Sequence, residues 1–74
     1  MKANERDSRT EQERFIDRML KEILGGQRNP GDRLPTESEL AAQYDLRKTN
    51  VHLALKELER LGFLEIVPRH ATYV

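Results

Sequence analysis

The architecture this sequence predicts is mostly α: three amphipathic helices closed by a small β-hairpin. Three observations carry it. Two Thr-x-x-Glu boxes, Thr10 to Glu13 and Thr36 to Glu39, each stand before an apolar run with helical spacing. A third run, Val51, Ala54, Leu55, Leu58 and Leu61, repeats that spacing and meets a stop signal at Gly62. Beyond Gly62 the pattern changes to short apolar stretches around Pro68-Arg69-His70-Ala71, as a hairpin requires.

Residues 1–9 hold one small apolar side chain besides the initial Met and are expected to be a disordered tail. Residues 10–74 form the expected domain. In the first helix Phe15, Ile16, Met19, Leu20, Ile23 and Leu24 recur as adjacent pairs four apart, one face of an amphipathic helix that should cover the core. Gly25-Gly26 ends it, because glycine reaches the left-handed conformation a helix C-terminus needs. Asn29-Pro30-Gly31-Asp32 reads as a turn, and Arg33-Leu34 is long enough only to pair at the edge of a small sheet. The second helix runs to about Tyr44 with Leu40, Ala41 and Tyr44 inward, and Asp45-Leu46 makes the turn into a third helix of about residues 48–61. Phe63, Leu64, Ile66 and Val67 then predict a strand, residues 68–71 its turn, and Thr72-Tyr73-Val74 the returning strand. Helix, turn, helix and hairpin in this order is the winged helix-turn-helix plan. Phe15, Tyr44 and Phe63 belong to the core or its rim.

Composition narrows the classes. With 74 residues there is room for one small core, and with aromatics at 5% that core must be aliphatic. The absence of cysteine excludes a disulfide scaffold and a Cys-ligated zinc finger, and no cofactor or metal is expected. Apolar runs are too short to span a membrane, and the polar N-terminus is unlike a signal peptide, so a cytoplasmic address is expected. The two histidines lack any accompanying nucleophile, ligand cluster or phosphate loop, which leaves an enzyme reading without support.

A net charge of +0 argues against a strongly basic nucleic-acid binder, yet the distribution is uneven. Residues 47–56 contain no acid and open with Arg47, Lys48, Thr49, Asn50 and His52. A helix N-terminus with those side chains suits a phosphate backbone and base edges in a groove. The acids are expected elsewhere, including Glu11, Glu37, Glu39, Glu57 and Glu59.

Taken together, Pro30-Gly31-Asp32-Arg33-Leu34-Pro35, Thr36-Glu37, Glu39-Leu40-Ala41, Val51, Ala54-Leu55, Leu58, Gly62-Phe63-Leu64 and Thr72-Tyr73-Val74 make about residues 12–74 resemble the DNA-binding domain of the GntR family of bacterial transcription regulators. The resemblance implies a third helix in the major groove of double-stranded DNA and a wing, residues 68–71, near the minor groove. It implies DNA contacts at Ser38, Arg47, Lys48, Thr49, Asn50, His52, Arg69 and His70. It further implies a repressor that works as a homodimer on a palindromic operator, with an effector-binding, dimerising domain after Val74; the isolated domain is expected to be monomeric off DNA.

This sequence departs from the family pattern at several of these positions. Ser38 and His52 stand where an Arg is common, Arg47-Lys48 replaces a Ser-Arg pair, Asp45 replaces a Gly, and Ala71 replaces the wing Gly. Lys48 lacks the planar fork of Arg, which weakens bidentate base reading. The loss of Ser at position 47 leaves Asp45 and Thr49 as the candidates to cap the third helix. These departures keep open a second reading, a winged-helix module for protein–protein contact with attenuated DNA binding.

Overall fold

A computed structural model describes residues 10–74; the tail of residues 1–9 lies outside the described residues. The elements are α1 (Glu11–Leu24), α2 (Glu37–Tyr44), α3 (Lys48–Arg60), β1 (Glu65–Val67) and β2 (Ala71–Tyr73). Both expected capping boxes form. The Thr10 hydroxyl accepts from Glu13 N at 3.1 Å while the Glu13 carboxylate accepts from Thr10 N at 2.8 Å. Thr36 and Glu39 repeat the arrangement at the same distances. Reciprocal caps satisfy backbone donors that the first helical turn leaves without partners.

All three helices of the described residues end alike. The residue after the closing turn is left-handed, with φ of 82° at Gly26, 55° at Asp45 and 91° at Gly62. In each case the next amide reaches back to a carbonyl of the last turn: Gln27 N to Glu22 O at 2.9 Å, Leu46 N to Ala41 O at 2.9 Å, Phe63 N to Leu58 O at 2.9 Å. This closure satisfies orphan carbonyls but needs positive φ, which glycine adopts freely and an L side chain does not. Asp45 is the exception, held in the turn that joins α2 to α3.

Nine side chains make the core: Phe15, Met19, Leu34, Leu40, Val51, Ala54, Leu55, Leu58 and Leu64. The helix stripes meet there as their spacing predicts, except at two ends. Leu24 is 74% exposed, since it lies about 180° around the helix from Phe15 and the paired pattern has rotated off the core. Leu61 is 47% exposed because α3 stops at Arg60 and Leu61 already belongs to its cap. Tyr44 sits at the rim, edge-on to Phe15 with ring centroids 5.2 Å apart and with the Arg18 guanidinium 4.6 Å from its ring centre.

The hairpin pairs antiparallel in the register Glu65↔Tyr73, Ile66↔Thr72 and Val67↔Ala71. Arg33-Leu34 extends this sheet as expected: Arg33 bridges Tyr73, Leu34 N donates to Thr72 O at 2.8 Å, and Val74 N donates to Asp32 O at 2.8 Å. On the other side Ile66 N donates to Glu59 Oε2 at 3.1 Å. The wing is thereby tied both to the segment before α2 and to α3.

A polar cluster joins α1 to the end of α2. Arg28 Nε donates to Glu22 Oε1 at 2.7 Å, and the Tyr44 hydroxyl donates to Glu22 Oε2 at 3.2 Å. Burial pushes the Glu22 carboxyl up, but the hydrogen bonds from Arg28 and Tyr44 outweigh it and hold the group below the usual carboxylate range.

Two predictions follow from these local constraints. Asp45→Val should unfold at lower denaturant than Asp45→Gly by about 1–2 kcal/mol, the cost of left-handed backbone for a β-branched residue; equal stabilities would remove the strain argument. For Glu22, the depressed folded value means its contribution is complete above the ordinary carboxyl value of 4.5 and is lost as pH falls through the folded value. Glu22→Gln should therefore destabilise by on the order of 1 kcal/mol at neutral pH, with the gap to wild type closing in acid. A gap independent of pH in urea titrations would contradict the ionised pairing.

Candidate nucleic-acid interface

The start of α3 carries the side chains that the sequence singles out. Arg47 is its N-cap, in extended conformation and without a side-chain cap bond, and the first turn contains no acid. Arg47, Lys48, Thr49 and His52 are exposed, while Asn50 is half-buried. Neither Asp45 nor Thr49 caps this helix, contrary to expectation. Asp45 closes α2 instead, with its amide on Ala41 O and Ala42 O. The acceptor at the start of α3 comes from α1: Glu11 Oε1 takes a hydrogen bond from Asn50 Nδ2 at 2.7 Å and one from Arg47 N at 3.4 Å. The Asn50 hydrogen bond, then the Arg47 amide, lower the Glu11 carboxyl from its ordinary value.

A second acid faces α3 from the other side. Glu37 Oε2 lies 2.7 Å from His52 Nδ1. Glu37, Lys48, Thr49 and His52 line one shallow concavity between the first turns of α2 and α3. Ser38, next along α2, is exposed. Acids expected away from the positive stretch thus lie against it, Glu11 on one flank and Glu37 on the other. Helix crossing brings them there from 36 to 39 and from 15 residues away respectively.

The wing presents Arg69 and His70, both exposed. His70 N donates to Val67 O at 3.1 Å, closing a four-residue turn with Pro68 second and Arg69 third. Arg69 has φ of 60°. Positive φ at the third position is what a type II turn demands, usually of Gly or Asn. The position that needs conformational freedom is therefore 69, whereas Ala71 sits in β2 paired with Val67. A cleft between the wing and the start of α2 is lined by Arg69, His70, Thr36 and Glu37 among others, so Glu37 borders both concavities.

Two residues absent from the expected set share the outward face of α3. Leu53 and Lys56 are exposed, four and seven residues after Thr49 and therefore on its side of the helix. Helical spacing alone identifies both; attention to the first turn hides them. Arg60 continues the face and pairs with Glu57, Nε to Oε1 at 3.0 Å and Nη2 to Oε2 at 2.5 Å. No helix among the described residues is long and apolar enough to cross a membrane.

Residues 11–74 match the family model described as bacterial regulatory proteins, gntR family. The mannosyl-D-glycerate transport/metabolism system repressor MngR of Escherichia coli is 38% identical over 60 residues, which are 81% of this chain and 25% of that protein. The HTH-type transcriptional repressor YtrA of Bacillus subtilis is 39% identical over 62 residues, 84% of this chain and 48% of that one. A GntR family transcriptional regulator from Listeria monocytogenes has a similar structure, with a TM-score of 0.86 at 26% identity over 92% of this chain and 60% of that chain. The chain spans between a quarter and about half of the length of these curated relatives.

The Glu11 contact makes a spectroscopic prediction. In Asn50→Ala the titration midpoint of the Glu11 carboxyl, followed by carbon NMR, should rise toward the ordinary value, because the largest cause of its depression is gone. A midpoint unchanged from wild type would mean that the contact does not persist in solution.

Proposed function

This chain belongs to the gntR family of bacterial regulatory proteins, and from that premise we propose that its DNA-binding domain serves a repressor acting as a dimer on a palindromic operator. The domain class is that of DNA-binding transcription regulators; the relatives described above are repressors by name. In the proposed pose α3 enters the major groove and the wing, residues 68–71, lies near the minor groove of the same face. The dimer belongs to the longer regulator, through a C-terminal effector-binding part, and residues 1–74 alone remain monomeric off DNA in the cytoplasm.

The observation that carries this reading is the outward face of α3, where Lys48, Thr49, His52 and Lys56 are exposed after a first turn free of acid. The Arg47 and Lys48 side chains stand at the positive end of the helix dipole and suit a phosphate. Thr49 and His52 face outward and suit base edges or sugar, Ser38 reaches the backbone from α2, and Asn50 turns its amide toward Glu11 and acts chiefly by holding the helix start. Arg69 and His70 supply the wing contact. Side chains held in strained backbone cluster at functional positions, and Arg69 in a left-handed turn fits that pattern. The domain binds and positions; no catalytic step is assigned to it. The alternative of a protein-contact module is not favoured by relatives that are named repressors.

Fluorescence titration on a duplex enriched from a random pool, and on a scrambled duplex, tests this assignment. Lys48→Ala should weaken binding to both and lower the slope of log affinity against log salt by about one, the share of a single phosphate. Arg69→Gly should weaken binding while raising the melting temperature, since the turn loses its strain. A Lys48→Ala variant with an unchanged salt slope, or an Arg69→Gly variant that binds like wild type, would defeat the roles given to these residues.

A further inference from the structure

The exposed side of α3 carries Lys48, Thr49, His52, Leu53, Lys56 and Arg60. Much of the polar chemistry of α3 is engaged within the chain. Asn50 Nδ2 donates to Glu11 at 2.7 Å, His52 Nδ1 lies 2.7 Å from Glu37, and Arg60 makes a two-point pair with Glu57. Lys56 Nζ stands 4.0 Å from Glu59. Lys48 offers a point charge without the fork that reads guanine from two atoms. The polar equipment for direct base reading is thus thin for a helix with this exposure.

Leu53 is different. It is 46% exposed, one of three large apolar side chains left so among the described residues, and it alone lies within α3. The core stripe of α3 is already filled by Val51, Ala54, Leu55 and Leu58, each at most 1% exposed. Leu53 projects at least about 100° away from every one of them around the helix axis. The methyl of Thr49 lies one turn before it on the same side. An apolar group on a helix in the major groove has one apolar partner among the base edges, the C5-methyl of thymine.

We propose that Leu53, with the Thr49 methyl beside it, reads thymine C5-methyl groups, so that this chain selects A·T pairs by apolar contact rather than by bidentate hydrogen bonds. The inference rests on the reading of α3 as the groove helix. Its principal residue, Leu53, lies outside the polar set on which that reading stands, and Thr49 is shared with it.

The test uses the full 74-residue chain and a duplex enriched from a random pool. Each thymine is replaced in turn by deoxyuridine, which removes the C5-methyl and preserves base pairing. Wild type should lose about fourfold in affinity at one or two thymines, the value of one buried methyl group. Leu53→Ala and Leu53→Gln should bind the parent duplex more weakly and no longer distinguish thymine from uracil at those positions. Because Leu53 is exposed, both variants should melt like wild type. A wild type indifferent to uracil at every position overturns the proposal. So does a Leu53→Ala variant that keeps the full uracil penalty, or an enriched duplex without thymine in its protected segment. Dimethyl sulfate probing of guanine N7 separates the two levels. Protection without a uracil effect refutes the methyl contact alone; absence of protection refutes the groove reading and the proposal with it.

Discussion

A helix as short as α3 is marginal by itself in water, so its existence depends on burial of one side. Val51, Ala54, Leu55 and Leu58 provide that burial, each at most 1% exposed, against Phe15 and Met19 of α1 and Leu40 of α2 within one core. The same constraint decides what α3 can offer outside. Once those four residues point inward, helical geometry sends Thr49, His52, Leu53 and Lys56 outward, His52 at the edge beside Glu37 of α2, and leaves Asn50 on the flank within reach of α1. The division between reading face and supporting flank follows from packing before any ligand is considered.

That packing also brings carboxylates to a helix suited to phosphate. Glu11 accepts from the Arg47 amide and the Asn50 side chain at the start of α3, and Glu37 lies against His52. The first supplies an acceptor to an amide that the start of a helix leaves without an intrahelical partner, and the second pairs two partly exposed side chains. Both also place negative charge beside the surface proposed to meet DNA, and the chain carries net charge of +0. Sequence-independent attraction, which scales with neutralised phosphates, is expected to be correspondingly modest in this domain. The residues that complete the helix start and those that would meet a phosphate compete for one small region.

Much of the fold was legible in the sequence because its signals are local. Thr10 with Glu13 and Thr36 with Glu39 announce two helix starts within four residues each, and Gly62 announces an end. The apolar spacing located the core of α3 correctly from Val51 to Leu58, and Arg33-Leu34 found its place beside β2. The failures occurred where the deciding partner lies far away in the chain or where helical phase had drifted. Leu24 and Leu61 continue a stripe on paper yet overrun the core. The ties from Glu11 to Asn50 and from Glu37 to His52 depend on how helices cross, which periodicity does not encode. Leu53 and Lys56 were accessible to simple helical geometry but lie beyond the first turn, where polar chemistry draws attention.

The tie between Glu59 and the Ile66 amide, together with the pairing of Leu34 to Thr72, leaves the wing little freedom relative to α3. Glu59 stands on the helix that would lie in one groove, and Ile66 lies mid-way along the first strand of the ribbon that would reach for its neighbour. A domain braced in this way behaves as a fixed gauge rather than a pair of independent fingers. Were both to meet DNA as proposed, their contacts would be set at one spacing, and the pitch and groove width of the duplex would become quantities it measures. DNA that is overwound, or stiff with a narrow minor groove, would be sorted by its mechanics before any base is touched.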